Sequence, residues 1–263
     1  MANYAIIIGI NNYTKPEDAG LKELQGAIRD AKEIYTWMIN KGDVKKSNCY
    51  LILSTDALYP IKNDVDNAIT EITKAVIRDD DSDADRFYFY FAGHGLGVEL
   101  DKENNGMCMA NWSEYQKDSA ALSTTDYKKK FLNEGLFKEI VMWMDCCRNT
   151  KMYFNPHGAP SRTPLGQNTD PLFFTAFATN YQNQAFEATV ETASGKETRG
   201  VFTTVLLKGL YGDASENGVD ITARDMCDYL AYHVPIKAQE AGYTQIPDPL
   251  TNETKHKKII FKI

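Results

Sequence analysis

Three continuous apolar runs, Tyr4–Ile10, Arg86–Ala92 and Glu139–Asp145, constrain this chain more than any other feature. An unbroken apolar run of strand length fits a strand buried on both faces, as in a parallel sheet covered by helices. The stretches between them supply the helices. Apolar residues fall at Leu21, Leu24, Ile28, Ala31, Tyr35 and Met38, and again at Ile61, Val65, Ala68, Ile69, Ile72 and Val76, both at helical spacing. Asn48–Ser54 and Pro171–Thr179 read as further strands, and Tyr127–Leu136, Gly200–Tyr211 and Thr222–Ala238 as further helices. The last opens on Thr222 and Asp225, at capping-box spacing. Lys258–Ile263 is expected to be an edge or interface strand. Residues 101–106 are expected to form a hairpin or loop, and 148–170 a long loop directly after a Cys pair. Strands alternating with helices predict an α/β fold with a mostly parallel sheet.

Composition narrows the chemistry. A formal net charge of −7 over 263 residues argues against non-specific nucleic-acid binding, which needs dense Lys and Arg. The cysteines, at 49, 108, 146, 147 and 227, are odd in number and contain no CxxC pair. No run approaches the ~18 apolar residues of a membrane span, and the apolar run at Tyr4–Ile10 lacks a basic leader. The expectation is a cytoplasmic protein with free thiols and no membrane contact.

Two short stretches carry the chemistry: Phe-Ala-Gly-His-Gly at 91–95 and Met-Asp-Cys-Cys-Arg at 144–148. His94 and Cys147 each stand one or two residues beyond an expected strand, and ligands of doubly wound sheets bind at the carboxyl ends of the strands. If the two strands are neighbours, an imidazole and a thiol share one rim, the pair a cysteine nucleophile requires. Taken singly, a His after a strand is a polar turn residue and a buried Cys a small hydrophobe. Gly93–Gly97 lacks the GxGxxG spacing of a dinucleotide loop, and Cys146–Cys147 lacks metal-ligand spacing.

The chain resembles the caspase–metacaspase clan of cysteine peptidases from residue 4 to 263. The resemblance is carried by Ala-Ile-Ile-Ile-Gly-Ile in the first strand, Leu-x-Gly-Ala-x-x-Asp-Ala at 24–31, Phe-Ala-Gly-His-Gly, Asp-x-Cys at 145–147, Gly-Val-Phe-Thr at 200–203 and Gln245-Ile246-Pro247 before the final strand. It implies a caspase-like three-layer sandwich built on a mostly parallel six-stranded sheet. It also implies a single domain over 1–263, with a large-subunit-like part (1–147), a flexible, cleavable loop (148–170) and a small-subunit-like part (171–263). His94 is then the general base and Cys147 the nucleophile, with the N–H groups of Gly95 and Cys147 forming the oxyanion hole. Strand alternation points Cys146 away from Cys147.

Departures within the clan address specificity. Caspases that cut after aspartate carry an Arg two residues before the first-helix glycine and a Gln two before the nucleophile; Leu24 and Asp145 stand there. Metacaspases, which cut after Arg or Lys, have Asp before the nucleophile and another four residues after the glycine. Asp145 and Asp30 match both, and two carboxylates in one pocket suit a guanidinium or ammonium group. Arg148-Asn149-Thr150 replaces the usual metacaspase His-Ser-Gly, which points to a bacterial branch.

The resulting expectation is an endopeptidase cleaving protein substrates after Arg or Lys, switched on by a partner protein or by self-cleavage at Arg148, Lys151 or Arg162, with a bacterial defence or cell-death role. The alternative is a catalytically silent scaffold that binds a partner. No cofactor is required. Calcium is left open because of the acidic run Asp79–Asp85 and the Asp101–Asn105 cluster.

Overall fold

The computed structural model describes residues 2–14, 21–55, 58–78, 84–160, 163–192 and 195–263. In chain order the elements are β1 (Ala2–Gly9), α1 (Ala27–Asn40), β2 (Val44–Leu53), α2 (Lys62–Arg78), β3 (Ala84–Ala92), β4 (Gly95–Val98), β5 (Asp101–Cys108), β6 (Ala121–Ser123) and α3 (Thr124–Glu134). They continue with β7 (Glu139–Asp145), β8 (Thr150–Lys151), β9 (Leu172–Phe177), β10 (Glu187–Thr192), β11 (Gly195–Gly200), α4 (Val201–Lys208), β12 (Asp220–Thr222), α5 (Ala223–Glu240), β13 (Asp248–Thr251) and β14 (Ile260–Lys262). Six strands form the central sheet in the order β13-β9-β7-β3-β1-β2. Every neighbouring pair is parallel except β13 with β9.

The three-layer arrangement follows from the parity of side chains along each strand. Tyr4, Ile6 and Ile8 of β1, Phe87, Phe89 and Phe91 of β3, and Ile140, Met142 and Met144 of β7 pack on one face with Val65, Ile69 and Ile72 of α2 and Tyr127 and Phe131 of α3. The alternate residues Ala5, Ile7, Tyr88, Tyr90, Val141 and Trp143 meet Ala31, Ile34 and Trp37 of α1, Phe202 and Leu206 of α4, and Met226 and Leu230 of α5 on the other. Burying a large apolar side chain is worth about 1.5–3 kcal/mol, so a one-residue slip of any central strand would exchange two full sets of such contacts.

The helix ends have local causes. Thr222 Oγ1 accepts from Asp225 N (3.1 Å) while Asp225 Oδ2 accepts from Thr222 N (2.8 Å), completing the capping box read from the sequence. Ser123 caps α3 in the same way, accepting from Asp126 N at 3.2 Å.

Three expectations are corrected and one choice is resolved. Residues 101–106 belong to a hairpin rather than a loop: they form most of β5, which turns back antiparallel on β4 and joins β6 and β8 in a second sheet ordered β6-β5-β4-β8. Its polar sequence hides the pairing, because Asn104 Oδ1 serves the α3 cap and Asn105 Nδ2 the catalytic loop. The sixth strand of the main sheet is β13, whereas the final strand β14 pairs with β12 in a separate ribbon. Helix α1 starts at Ala27, six residues after Leu21. Leu21 and Leu24 pack against the core from the extended segment before it. The described part of 148–170 is fastened rather than loose: β8 pairs with β4, Phe154 is buried, and Gly166 N donates to Glu134 O at 2.8 Å.

Candidate active site

The register of β3 and β7 creates the site. Ala92 and Asp145 face each other at the carboxyl ends of two parallel neighbours, and Gly93 N donates to Asp145 O at 3.2 Å. Two residues farther along each chain stand His94 and Cys147. Both line a pocket of about 170 Å³ whose walls also carry Asp30, Asp145, Glu187 and Gly200. The structure therefore brings together the four main residues singled out from the sequence.

His94 is held from two sides. Its backbone N–H donates to Tyr13 Oη at 2.7 Å, and the two rings lie 4.9 Å apart, centroid to centroid. Its Nε2 lies 2.6 Å from Lys22 O. A carbonyl only accepts, so Nε2 carries the proton and Nδ1 keeps a free lone pair. Burial lowers the imidazole pKa, only partly opposed by the Lys22 carbonyl and by Glu187, so the ring is a neutral base. Burial likewise raises the Cys147 thiol. Its Sγ donates to Ala185 O (3.5 Å) and accepts from Ala185 N (3.4 Å). The resting pair is thiol and neutral imidazole, with the sulfur turned to the 185 backbone.

Cys146 is buried on the opposite face of the sheet, as alternation requires, where Asn105 Nδ2 donates to its Sγ at 3.2 Å. The same amide donates to Cys147 O at 3.2 Å, fixing the backbone of the nucleophile. The ladder also orients Gly95. Cys108 N bonds to His94 O across β4 and β5, so the next pair, Gly95 and Met107, is non-hydrogen-bonded and Gly95 N–H points away from β5. Gly97 shares its parity and donates to Asn149 O at 2.8 Å. Gly95 N–H thus faces the chain segment that follows Cys147, the side on which an oxyanion donor is needed. A Cβ at 95 would lie 2.6 Å from Cys147 O, so only glycine permits this approach.

The carboxylates differ in how they are engaged. Asp30 pairs with Arg199 Nε and accepts from Gly200 N at 2.7 Å, which occupies both of its oxygens. Asp145 accepts from Thr203 N (3.1 Å) and Thr203 Oγ1 (2.6 Å) through Oδ2 alone. Tyr90 Oη braces Thr203 at 2.7 Å. Burial pushes Asp30 up to about 7, outweighing Arg199, with the charge on Asp145 adding to it. Burial pushes Asp145 up to about 6 against the two bonds from Thr203. Gly200 lies between them, and a Cβ there would collide with Asp145 Oδ2 and approach Asp30 Oδ2 to 2.9 Å. Glu187 adds a third acid, held by Gly26 N at 2.6 Å and Gln25 N at 3.0 Å. The pocket thus gathers three carboxyl groups, with Arg199 as the cation behind Asp30.

Of the expected processing sites, Arg148 is corrected. It is fully buried, with Nη1 donating to Asp248 Oδ2 (2.6 Å) and Thr179 O (3.4 Å), Nη2 to Lys102 O, and the guanidinium stacked 4.1 Å over Phe177. Such a side chain cannot enter a peptidase pocket without unfolding the catalytic loop. Lys151 is half-buried in β8 and paired with Glu114. Arg162 lies outside the described residues, as does most of the acidic run, at 79–83. The Asp101–Asn105 cluster lies along β5, and among the described residues no group of three or more His, Cys, Asp or Glu is arranged to hold a metal ion.

Sequence reasoning missed Tyr13, Lys22, Glu187 and Arg199. Glu187 begins hairpin β10–β11, whose signal was present: Glu187–Glu191 alternates polar and apolar residues ahead of a Ser-Gly pair in the sequence.

A parallel sheet with a His and a Cys at adjacent strand ends is the frame of a cysteine peptidase-like domain, and residues 2–258 match the caspase domain family. The chain belongs to that family. No curated protein matches it. Among solved structures it is similar to protein GSU0716 from Geobacter sulfurreducens, with a TM-score of 0.57 at 12% identity, over 97% of this chain and 94% of that one. At that identity the likeness is one of fold. Among the described residues no helix is long and apolar enough to cross a membrane.

Proposed function

We propose that the protein is a cysteine endopeptidase that cleaves after Arg, and also Lys, through Cys147 and His94. The observation that carries this reading is the single pocket lined at once by the thiol, the imidazole and the carboxylates Asp30, Asp145 and Glu187. In the reaction, Nδ1 of His94 takes the Cys147 proton and the thiolate attacks the scissile carbonyl. The N–H groups of Gly95 and Cys147 bind the oxyanion, and the resulting imidazolium returns its proton to the leaving amine. Asp145, whose Oδ1 makes no hydrogen bond among the described residues, is the direct anchor for the basic side chain. Asp30 shapes the same wall through Gly200 and Arg199.

The hydrogen bonds between Cys147 and Ala185 support a resting state that must rearrange, consistent with switching by a partner protein or by self-cleavage. A place in bacterial defence or cell-death signalling rests on the family resemblance.

The test is a fluorogenic panel with Arg, Lys or Asp at the cleavage position, run with and without calcium and before and after incubation. The expected result is turnover of Arg over Lys and none of Asp, with Cys147→Ala lower by at least about 10³-fold. Turnover unchanged in Cys147→Ala, or none under any condition, would sink the peptidase reading, the latter in favour of a silent scaffold. A preference for Asp would sink the pocket assignment alone.

A further inference from the structure

A second cavity, of about 360 Å³, lies on the opposite face of β7. Four cations line it, Lys102, Lys128, Lys129 and Arg148, against two carboxylates, Glu103 and Asp248. Asp248 is already committed to Arg148 at 2.6 Å. Among the described residues no carboxylate lies within salt-bridge distance of Lys102, Lys128 or Lys129. Elsewhere Lys62, Lys130, Lys151 and Lys257 all have acidic partners. Lys128 is the most exacting of the three. Burial lowers its pKa, only partly opposed by the charge on Glu103, and its Nζ sits 3.8 Å from the Phe173 ring centroid. Like charges gathered around one concavity repel, and a partly desolvated ammonium gains most from a counter-charge. The rest of the wall carries three threonines and an apolar side that includes Phe177 and the exposed Leu250.

The cavity backs onto the catalytic pocket. Met142 and Met144 of β7 face it, and alternation along the same strand sends Asp145 to the catalytic side. Arg148, peptide-bonded to Cys147, forms part of the cavity wall. Its N–H donates to Asn183 O (2.9 Å) and its carbonyl accepts from Gln182 N (3.1 Å). It therefore fixes the loop whose Ala185 holds Cys147 Sγ, while its own Nε is buried without a partner among the described residues.

We propose that this cavity binds a small organic anion with an apolar body, and that occupancy acts on Cys147 across β7 through Arg148. The anionic group pairs with Lys102, Lys128 and Lys129, and the body covers Phe177 and Leu250. Binding is independent of the peptidase reading; an effect on turnover rests on it.

The probe is 8-anilinonaphthalene-1-sulfonate, an aromatic body with one sulfonate, titrated by fluorescence into the full chain. The expected result is saturable binding that Lys102→Glu and Lys128→Glu each weaken about tenfold, and that prior alkylation of Cys147 with iodoacetamide leaves intact. Both substitutions fall on solvent-reaching side chains, and a conservative Lys128→Arg should bind like the parent. Affinity unchanged in the two reversals, or binding abolished by alkylation, overturns the site. The coupling is read as the iodoacetamide alkylation rate at Cys147, followed by peptide mass mapping, which should change by about threefold or more at saturating probe. An unchanged rate with the probe bound overturns the coupling. Neither readout uses peptide cleavage, so failure of the peptidase reading is distinguishable from failure of this one.

Discussion

Strands β3 and β7 carry charge at both ends, and the two ends are handled in opposite ways. At the amino end Arg86 and Glu139 are register partners, joined Nε to Oε2 at 2.5 Å. The guanidinium also donates to Tyr88 Oη (2.8 Å) and Ile260 O (2.9 Å) and lies 5.0 Å from the Phe261 ring. At the carboxyl end Asp145 faces Ala92, which brings no cation, and the carboxylate instead meets other acids in a cavity. The same two strands thus show a charge placed for stability and a charge placed for a visitor. The difference lies in whether the sequence supplies the partner. Where it does, the pair is closed; where it does not, the carboxyl resists ionising and waits for an incoming cation.

That contrast breaks first at Asp145. Asp145→Asn keeps an acceptor for Thr203 but removes the charge, so kcat/KM on Arg peptides should fall by about 10²-fold or more, a loss in the 2–5 kcal/mol range of a truncated buried pair. The same variant should be no less stable. Both acids sit above the ordinary carboxylate value because of burial, so the folded state holds their protons longer. The stability this brings is full below about pH 4 and is lost as pH rises through about 6 for Asp145 and about 7 for Asp30. Thermal melts across that window should therefore show the parent declining more steeply than Asp145→Asn. A variant that melts lower at every pH would show that Asp145 is a structural group like Glu139.

Gly200→Ala tests the shape of the same pocket. A methyl in a closed wall costs about 1–3 kcal/mol, expected here as a rise in KM for Arg peptides with the Cys147 alkylation rate unchanged. A parental KM would place the basic side chain elsewhere.

A smaller effect is expected from pH. kcat/KM reports groups of the free enzyme, so Arg cleavage should weaken as pH drops through about 7 to 6, where Asp30 and Asp145 take up protons. In Asp145→Asn the acid limb should move lower, because the charge that adds to the rise of Asp30 is gone. An unmoved limb would remove Asp145 from substrate binding.

The opposite end of the strands supplies the last test. Glu139→Gln leaves a largely buried Arg86 without its counter-charge and should cost about 1–3 kcal/mol of stability, below the full buried-pair range because both side chains keep some exposure. Its kcat should stay within about twofold, since sites this far apart act independently. A large loss of turnover would show that the two ends communicate.

How far the sequence disclosed all this depended on where the decisive partner lies. β7 was legible to the residue at both ends, because an apolar run closed by Asp145 is a local signal. The His94–Cys147 meeting was legible too, since it needs only that two recognised strands be neighbours. The second sheet was not, because β5 is polar in sequence and becomes a strand through partners on β4, β6 and α3. β13 escaped notice for a similar reason: Pro249 discourages a strand assignment but is tolerated on an edge. The Asp30–Arg199 pair joins residues 169 positions apart, and no pattern within α1 foreshadows it.

The glycine at 200 has an evolutionary corollary. Every amino acid other than glycine brings a Cβ, and a Cβ at this point meets the Asp145 carboxylate. Mutation can therefore explore the neighbouring wall residues one at a time, but at 200 it meets a cliff on every side. A lineage that changed its cleavage preference through this wall would have to abandon or move Asp145 first, which makes the order of substitutions, and not only their identity, a constraint on how such pockets diverge.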